Sequence, residues 1–181
     1  MKKTAIILTE GFEEVEALTA VDLLRRAQIV CDTVSLEGSP TVRGSHGITV
    51  QVDAAFSETD FDSYDGIILP GGKGHVHLAE SEPLLALLRQ FYAQGKLTAA
   101  ICAAPTVLAK AGLLEGKKAV CYPGLEGQLL GADVGSEPVV VDGTVITSRG
   151  VGTAIPFALA MIAYLDDAGR ADRLASEIVY R

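Results

Sequence analysis

Cys102 is the residue whose place in the sequence most favours covalent chemistry. Residues 97–101 form a short apolar run that predicts a buried strand. Residues 103–111 are typical of a helix, with Pro105 in its first turn and Gly112 just past its end. No loop separates the two segments, so the thiol must lie in a sharp and strained strand-to-helix turn, as nucleophiles do in other α/β enzymes. A lone cysteine is more commonly buried and inert, but this position favours a reactive thiol whose pKa is lowered by the helix N-terminus.

Three acidic residues early in the chain are candidates for proton transfer with this thiol. Glu13, Glu14 and Glu16 begin a predicted helix shortly after the first predicted strand. A carboxylate close to Cys102 can act as a proton donor or acceptor. A solvated helix face is the ordinary place for such residues, and we expect two of the three to lie there.

Backbone groups and an arginine complete the predicted site. The N–H groups of Gly72 and Ala103 are candidates for an oxyanion hole, although a tight turn and an ordinary helix start explain the same residues. Arg149 can bind an anionic group or hold a dimer contact, with an exposed surface arginine as the alternative. His75 and His77 form a His-X-His pair on a predicted loop. Because no third ligand is evident, we interpret them as solvated histidines and expect no metal.

Strands that alternate with helices place these candidates at one edge of a sheet. The predicted strands cover residues 4–8, 29–36, 65–69, 97–101, 118–121, 139–141 and 144–147, and the predicted helices cover residues 13–27, 82–94, 103–111, 153–165 and 171–179. The β-α-β order implies parallel neighbours, and ligands bind outside the carboxyl ends of such strands. We therefore predict an α/β sandwich with a mainly parallel sheet. The loops that should converge are residues 8–12, 69–72, 101–102 and 148–150.

A few features lie outside this repeating pattern. Short strands are predicted at residues 41–42 and 48–52, with His46 between them as a surface or dimer-edge residue. Cys31 alternates inside a strand and is expected in the core. Cys121 is interpreted as a packing residue, with a role as a resolving thiol as the alternative.

The composition of the chain excludes several classes of protein. The 181 residues are 49% hydrophobic and suit one domain spanning residues 1–181. The formal net charge of −8 argues against nonspecific binding to nucleic acid or anionic lipid. No apolar run approaches the length of a membrane span, and the short apolar run after the two N-terminal lysines is too brief for a signal peptide. With three cysteines that lack metal-ligand spacing, we expect a cytoplasmic protein.

The chain carries four motifs that resemble those of the ThiJ/PfpI superfamily, and within it the DJ-one branch, which is class I glutamine amidotransferase-like. The motifs occur in the same order as in that branch and are spread over nearly the whole chain. The motifs are Glu13-Glu14-Val15-Glu16, Leu69-Pro70-Gly71-Gly72, the segment from Ala99 to Pro105 around Cys102, and the segment from Thr147 to Thr153. The resemblance implies a flavodoxin-like three-layer fold and a homodimer. It implies that Cys102 is the reactive cysteine, that a protonated Glu16 hydrogen-bonds it, and that Gly72 and Ala103 are backbone donors.

The resemblance also implies a set of alternative activities. The first is a cofactor-independent glyoxalase or deglycase, with a small dicarbonyl such as methylglyoxal or its glycated protein adduct as substrate. The second is an oxidation-sensing or chaperone-like protein that uses a sulfinate at Cys102. A peptidase is disfavoured because Ala103, not histidine, follows the cysteine. Tyr122 precedes Pro123 where the branch has a histidine, which argues against histidine-assisted base catalysis because a tyrosine is a poor base at neutral pH.

Overall fold

The computed structural model describes residues 1–180 and builds the chain from alternating strands and helices. The strands are β1 (Lys3–Leu8), β2 (Val30–Ser35), β3 (Thr41–Arg43), β4 (Thr49–Gln51), β5 (Ala54–Ala55), β6 (Gly66–Leu69), β7 (Leu97–Ile101), β8 (Lys118–Ala119), β9 (Asp133–Val134), β10 (Val139–Asp142) and β11 (Val145–Ser148). The helices are α1 (Glu14–Arg26), α2 (His75–Glu80), α3 (Glu82–Ala93), α4 (Pro105–Lys110), α5 (Ala154–Leu165) and α6 (Ala168–Glu177). Within residues 1–180, no helix has both the length and the apolar character needed to cross a membrane.

Seven strands form the main sheet in the order β10-β11-β7-β6-β1-β2-β5. All neighbouring pairs are parallel except β10 and β11, which form an antiparallel hairpin. The strands β1, β6 and β7 at the centre of the sheet are almost entirely buried, as their continuous apolar runs predict. This arrangement confirms the predicted α/β sandwich with a mainly parallel sheet.

Helices cover both faces of the sheet, and each face has its own hydrophobic cluster. One cluster joins α1, α5 and α6 to the sheet through side chains such as Leu24, Phe157 and Leu174. The other joins α3 and α4 to the opposite face through Leu88 and Val107. The carboxyl ends of β1, β6, β7 and β11 therefore meet at one edge of a rigid three-layer structure, where ligand sites form in folds of this kind.

Three predicted segments differ from the structure. The helix after Cys102 begins at Pro105, not at Ala103, and spans only six residues. The strand predicted at residues 118–121 ends at Ala119 and pairs with β9 in a separate two-stranded sheet. The predicted loop around His75 and His77 is the helix α2, which begins after Gly74 without a side-chain cap.

Candidate active site

Cys102 lies between the end of β7 and the start of α4, in the sharp turn that the sequence predicts. Its backbone φ is 66°, in the left-handed region that non-glycine residues rarely adopt, and the thiol is partly exposed. The peptide group on each side is held: the N–H of Cys102 donates to Ser148 O (3.0 Å) and its carbonyl accepts from Tyr122 N (2.7 Å). Such strain persists only where the surroundings over-determine it, and it is concentrated at functional sites.

The carboxyl group of Glu16 lies beside this thiol. Glu16 projects from the first turn of α1 and is completely buried, and its Oε2 accepts a hydrogen bond of 2.9 Å from the N–H of Gly71. A Cβ atom on Gly71 would lie 2.9 Å from Glu16 Oε2 and 3.0 Å from Cys102 Sγ. The two side chains therefore border the same small space, which exists because residue 71 has no side chain.

Backbone donors face the sulfur from two sides. The N–H groups of Gly72 and Ala103 both act on the Cys102 sulfur and lower the pKa of the thiol. Gly72 adopts a φ of 91°, and its carbonyl accepts a hydrogen bond of 2.9 Å from Nδ1 of His75. That contact gives His75 a positioning role at this turn, which sequence reasoning missed because α2 was predicted as a loop.

Burial governs the protonation of the pair. Desolvation raises the pKa of Glu16 to about 7. Desolvation, together with the charge of Glu16, raises the pKa of Cys102 to about 12, and the two backbone donors offset only part of this rise. Because like charges so close together cannot both ionise easily, the two groups titrate as a coupled pair that carries one negative charge over a wide pH range.

The rise in the pKa of Cys102 corrects the expectation that the helix N-terminus lowers it. The helix begins three residues after the cysteine and has fewer than two turns, so its dipole is weak and distant. Burial beside a carboxylate has the larger effect. With these pKa values the single negative charge of the pair lies on Glu16 at neutral pH, and a thiolate forms only when the proton of the Cys102 thiol passes to Glu16, which leaves the net charge of the pair unchanged.

The prediction that two of the three glutamates are solvated is wrong. Glu14 is 3% exposed and Glu16 is completely buried, while Glu13 is half-buried. The carboxylate of Glu14 binds the turn between β3 and β4, where it accepts hydrogen bonds from the backbone N–H of His46 (2.7 Å) and from its Nδ1 (3.0 Å). These contacts lower the pKa of Glu14, so this glutamate has a structural role, and the exposed His46 is its partner.

A cavity of about 560 Å³ opens at the thiol. The predicted residues Glu13, Glu16, Gly72, Cys102 and Arg149 all line it, so the structure brings most of the predicted constellation together. Other walls come from residues that sequence reasoning did not assign to the site, among them Ser136, Pro138, Val151 and Thr153. The signal for these residues was weak because they lie in turns and loops that only the hairpin of β10 and β11 brings to this edge.

Of the other side chains considered from the sequence, Tyr122 lies at this cavity, whereas Cys121 and Cys31 lie in the hydrophobic core. Tyr122 lines the cavity and is 52% exposed, whereas no histidine does so among the described residues. Cys121 belongs to the hydrophobic cluster on the opposite face of the sheet from the one that Cys102 contacts. Cys31 is 1% exposed, as expected for a core residue. This placement favours the interpretation of Cys121 as a packing residue.

The fold and this site define an α/β protein with a cysteine in a strained elbow and a buried glutamate beside it. Comparison with known proteins agrees: the model of the DJ-1/PfpI family matches residues 2–164, and the chain belongs to that family. The resemblance inferred from the four motifs is thereby confirmed.

Individual relatives cover most of the chain. Protein dj-1beta of Drosophila melanogaster is 42% identical over 161 residues, which cover 87% of this chain and 86% of that protein. The crystal structure of Drosophila melanogaster DJ-1beta superposes with a TM-score of 0.95 at 38% identity, and covers 99% of this chain and 98% of its own. A protein of Pyrococcus abyssi named deglycase PYRAB04690 is 32% identical over 149 residues, which cover 81% of this chain and 89% of that protein. The structural likeness confirms the flavodoxin-like fold.

Proposed function

We propose that this protein is a cysteine-dependent enzyme that converts methylglyoxal-type dicarbonyls, or their adducts on thiols and amines, to hydroxy acids without a cofactor. The observation that carries the proposal is the placement of the buried Glu16 carboxyl beside the partly exposed Cys102 thiol, where both residues border one cavity. The similarity to a relative named a deglycase supports the same reaction class.

The proposed reaction with methylglyoxal begins at the aldehyde carbon. The thiolate sulfur of Cys102 forms a bond to this carbon, and the aldehyde oxygen takes the proton of Glu16, which gives a hemithioacetal. The N–H groups of Gly72 and Ala103 stabilise the negative charge that develops on the oxygen.

Proton transfer and hydrolysis complete the cycle. The carboxylate of Glu16 removes the proton from the former aldehyde carbon and delivers a proton to the neighbouring carbon, while the hydroxyl proton passes from the first oxygen to the oxygen on that neighbouring carbon; the product is a lactoyl thioester on Cys102. Water then cleaves the carbon–sulfur bond of the thioester, releases lactate and restores the thiol. One carbon is oxidised and its neighbour is reduced, so the sum of methylglyoxal and water to lactate balances without an external oxidant.

Lactate formation from methylglyoxal tests this proposal directly. Wild-type protein should produce lactate, and Cys102→Ser should lower the rate by at least about 10³-fold because a serine hydroxyl without a dedicated base is a poor nucleophile. Cys121→Ala is the matched control, since this cysteine lies on the other face of the sheet, and it should keep the wild-type rate. Wild-type protein that forms no lactate, or a Cys102→Ser rate equal to that of the wild type, would contradict the proposal.

A second candidate function is sensing of oxidation through Cys102. The partly exposed sulfur already faces two backbone donors, from Gly72 and Ala103, which can bind the oxygens of a sulfinate. Two equivalents of hydrogen peroxide supply the oxidant, each transferring one oxygen to the sulfur and leaving as water. A protein that forms no lactate but accumulates this sulfinate would have the sensing function instead.

We also propose that the protein is a homodimer, as its resemblance to the DJ-one branch implies. Val15 on α1 is 47% exposed and Ile48 beside β4 is 52% exposed, so this side of the molecule offers apolar surface to a second copy. Sedimentation equilibrium at micromolar concentration should give twice the chain mass of 18.9 kDa. Val15→Asp should shift the equilibrium toward the monomer, and a purely monomeric wild-type protein would contradict the proposal.

A further inference from the structure

The cavity at Cys102 is larger than the reaction of a three-carbon dicarbonyl requires. Its volume of about 560 Å³ falls within the range of roughly 300–1,000 Å³ found for pockets that hold drug-sized ligands. Cys102, Glu16 and Gly72 line it together with the apolar residues Pro123, Pro138 and Val151. A substrate that fills the cavity therefore extends well beyond its reacting carbons.

Among residues 1–180, Arg149 is the only cationic side chain that lines this cavity. Its Nη1 donates to the carbonyl of Ser136 at 3.3 Å, which places the guanidinium at the wall formed by Ser136 and Pro138. None of the ion pairs found among residues 1–180 includes Arg149, whereas Arg25 and Arg89 each contact a carboxylate. A guanidinium has five N–H donors, so most of the donors of Arg149 are available to a ligand.

The backbone that carries this guanidinium is held firmly. Arg149 follows directly after β11, and its N–H donates to Oγ1 of Thr153 at 3.2 Å. The same Oγ1 accepts from the N–H of Gly150 at 3.1 Å and lies 2.6 Å from Oγ of Ser148. The turn after β11 therefore presents Arg149 to the cavity from a fixed backbone, which lowers the entropic cost of binding an anion there.

We infer that Arg149 selects substrates that carry a carboxylate away from the reacting carbons. This inference rests on the proposed function. The substrates that it specifies are dicarbonyl adducts of small molecules that carry a free carboxylate, such as the hemithioacetal formed by methylglyoxal and an N-acylated cysteine. The planar guanidinium binds a carboxylate through two parallel N–H···O bonds. Glu13 lines the same cavity and opposes an anion; its carboxylate lies 3.5 Å from Nδ1 of His46, whose protonated ring is shared with Glu14 at 3.0 Å and reduces the negative charge of the two glutamates.

Two substrates that differ only in charge test the inference by turnover. The methylglyoxal hemithioacetals of N-acetylcysteine and of N-acetylcysteine amide have the same reacting group, but only the first carries a carboxylate. In each substrate the Cys102 sulfur forms a bond to the former aldehyde carbon as the bond from that carbon to the small thiol breaks, and the proton of the Cys102 thiol passes through Glu16 to the leaving sulfur. Wild-type protein should convert the carboxylate substrate to lactate with a kcat/KM about 10-fold higher than that of the amide substrate. Arg149→Gln should bring the two values together because it raises the KM of the carboxylate substrate more than the KM of the amide substrate. Arg149→Lys should keep part of the preference.

Alkylation of Cys102 tests the same charge preference without any turnover. Iodoacetate is an anion and iodoacetamide is its neutral counterpart, and both alkylate the sulfur with loss of iodide. Arg149→Gln should lower the ratio of the iodoacetate rate to the iodoacetamide rate several-fold, and continued alkylation by iodoacetamide shows that the thiol is still accessible. Lys110→Gln, which removes an exposed charge on α4, is the matched control and should change neither rate.

The two experiments separate failure of this inference from failure of the proposed function. Lactate formation from both adducts without a charge preference, together with an unchanged alkylation ratio in Arg149→Gln, would overturn the role of Arg149 and leave the enzyme intact. An absence of lactate from either adduct, together with a shifted alkylation ratio, would contradict the proposed reaction and still support an anion-binding role for Arg149.

Discussion

Glu16→Gln is expected to lower lactate formation from methylglyoxal by at least about 100-fold while it preserves much of the oxidation of Cys102 to the sulfinate. Glutamine keeps the shape of the side chain and an acceptor for the N–H of Gly71. Its amide N–H can also donate to the sulfur or to a sulfinate oxygen. It cannot take up or release a proton during turnover, so only the activity that needs proton transfer is lost.

Glu16→Leu is the matched comparison because it removes both the proton and the hydrogen-bonding groups. The N–H of Gly71 then loses its partner, and the sulfur loses a donor. This variant should lose turnover and also the accumulation of sulfinate. Intact mass and peptide mapping after graded hydrogen peroxide, beside the lactate assay, measure the two properties separately. If the wild type and both variants oxidise alike at Cys102 and form lactate alike, Glu16 is not the partner of the cysteine.

The stability of the Glu16→Gln variant provides a pH-dependent readout of the same buried carboxyl. Burial raises the pKa of Glu16 from 4.5 to about 7, so the folded protein binds this proton more tightly than the unfolded chain does. The stabilisation from the bound proton is complete below about pH 4.5 and is lost as the pH rises to about 7. Relative to Glu16→Gln, the wild-type free energy of unfolding should therefore fall by up to roughly 3 kcal/mol across this interval. Urea unfolding at several pH values measures the difference, and a constant difference would contradict the raised pKa.

Local signals were sufficient to predict the turn that carries Cys102. The apolar run of β7, Pro105 and Gly112 fix the ends of adjacent elements within a short stretch of chain, so neighbouring residues determine the turn. The φ of 66° at Cys102 accompanies the reversal of the chain within the three-residue turn between Ile101 and Pro105. The order of strands and helices likewise predicted which loops meet, because the handedness of parallel connections leaves few arrangements.

The roles of the glutamates could not be predicted from local signals. Glu14 and Glu16 lie two positions apart in the first turn of α1, and acidic residues in a first helical turn are ordinarily solvated. Glu14 is buried because the turn around His46, more than 30 residues later, folds onto it. Glu16 is buried because Gly71, 55 residues later, brings its backbone against the carboxylate. The different roles of the two glutamates therefore depend on tertiary contacts with distant residues.

The missed helix α2 has a similar cause. It begins after Gly74 without a side-chain cap, and its six residues are too few to show a strong helical pattern. Tertiary contacts stabilise it instead: the N–H of Gly74 donates to the carbonyl of Gly11 at 2.9 Å, and Leu78 inserts into the hydrophobic cluster next to α3. The same contacts join the turn at Gly72 to the loop after β1.

Gly72→Ala is expected to destabilise the protein by roughly 3 kcal/mol or more. The φ of 91° disfavours any side chain at this residue, and a Cβ atom would lie 2.5 Å from both Glu13 N and Gly11 O. Both neighbours are backbone atoms that cannot rotate away. The loop after β1 must then separate from the turn after β6, and this movement shifts the N–H of residue 72 away from the Cys102 sulfur.

Gly112→Ala is the matched control for the backbone conformation alone. Gly112 has a φ of 82°, close to that of Gly72, but a Cβ atom there would meet nothing within 4 Å. Its cost should be about 1 kcal/mol, the cost of the left-handed conformation. Urea unfolding of the two variants isolates the steric contribution at Gly72, and equal losses of stability would show that the loops do not touch as described.

The rate of Cys102 alkylation by iodoacetamide tests the backbone donor at residue 72. It should fall in Gly72→Ala under conditions where the protein is folded, because the thiolate loses a backbone donor. It should stay at the wild-type value in Gly112→Ala.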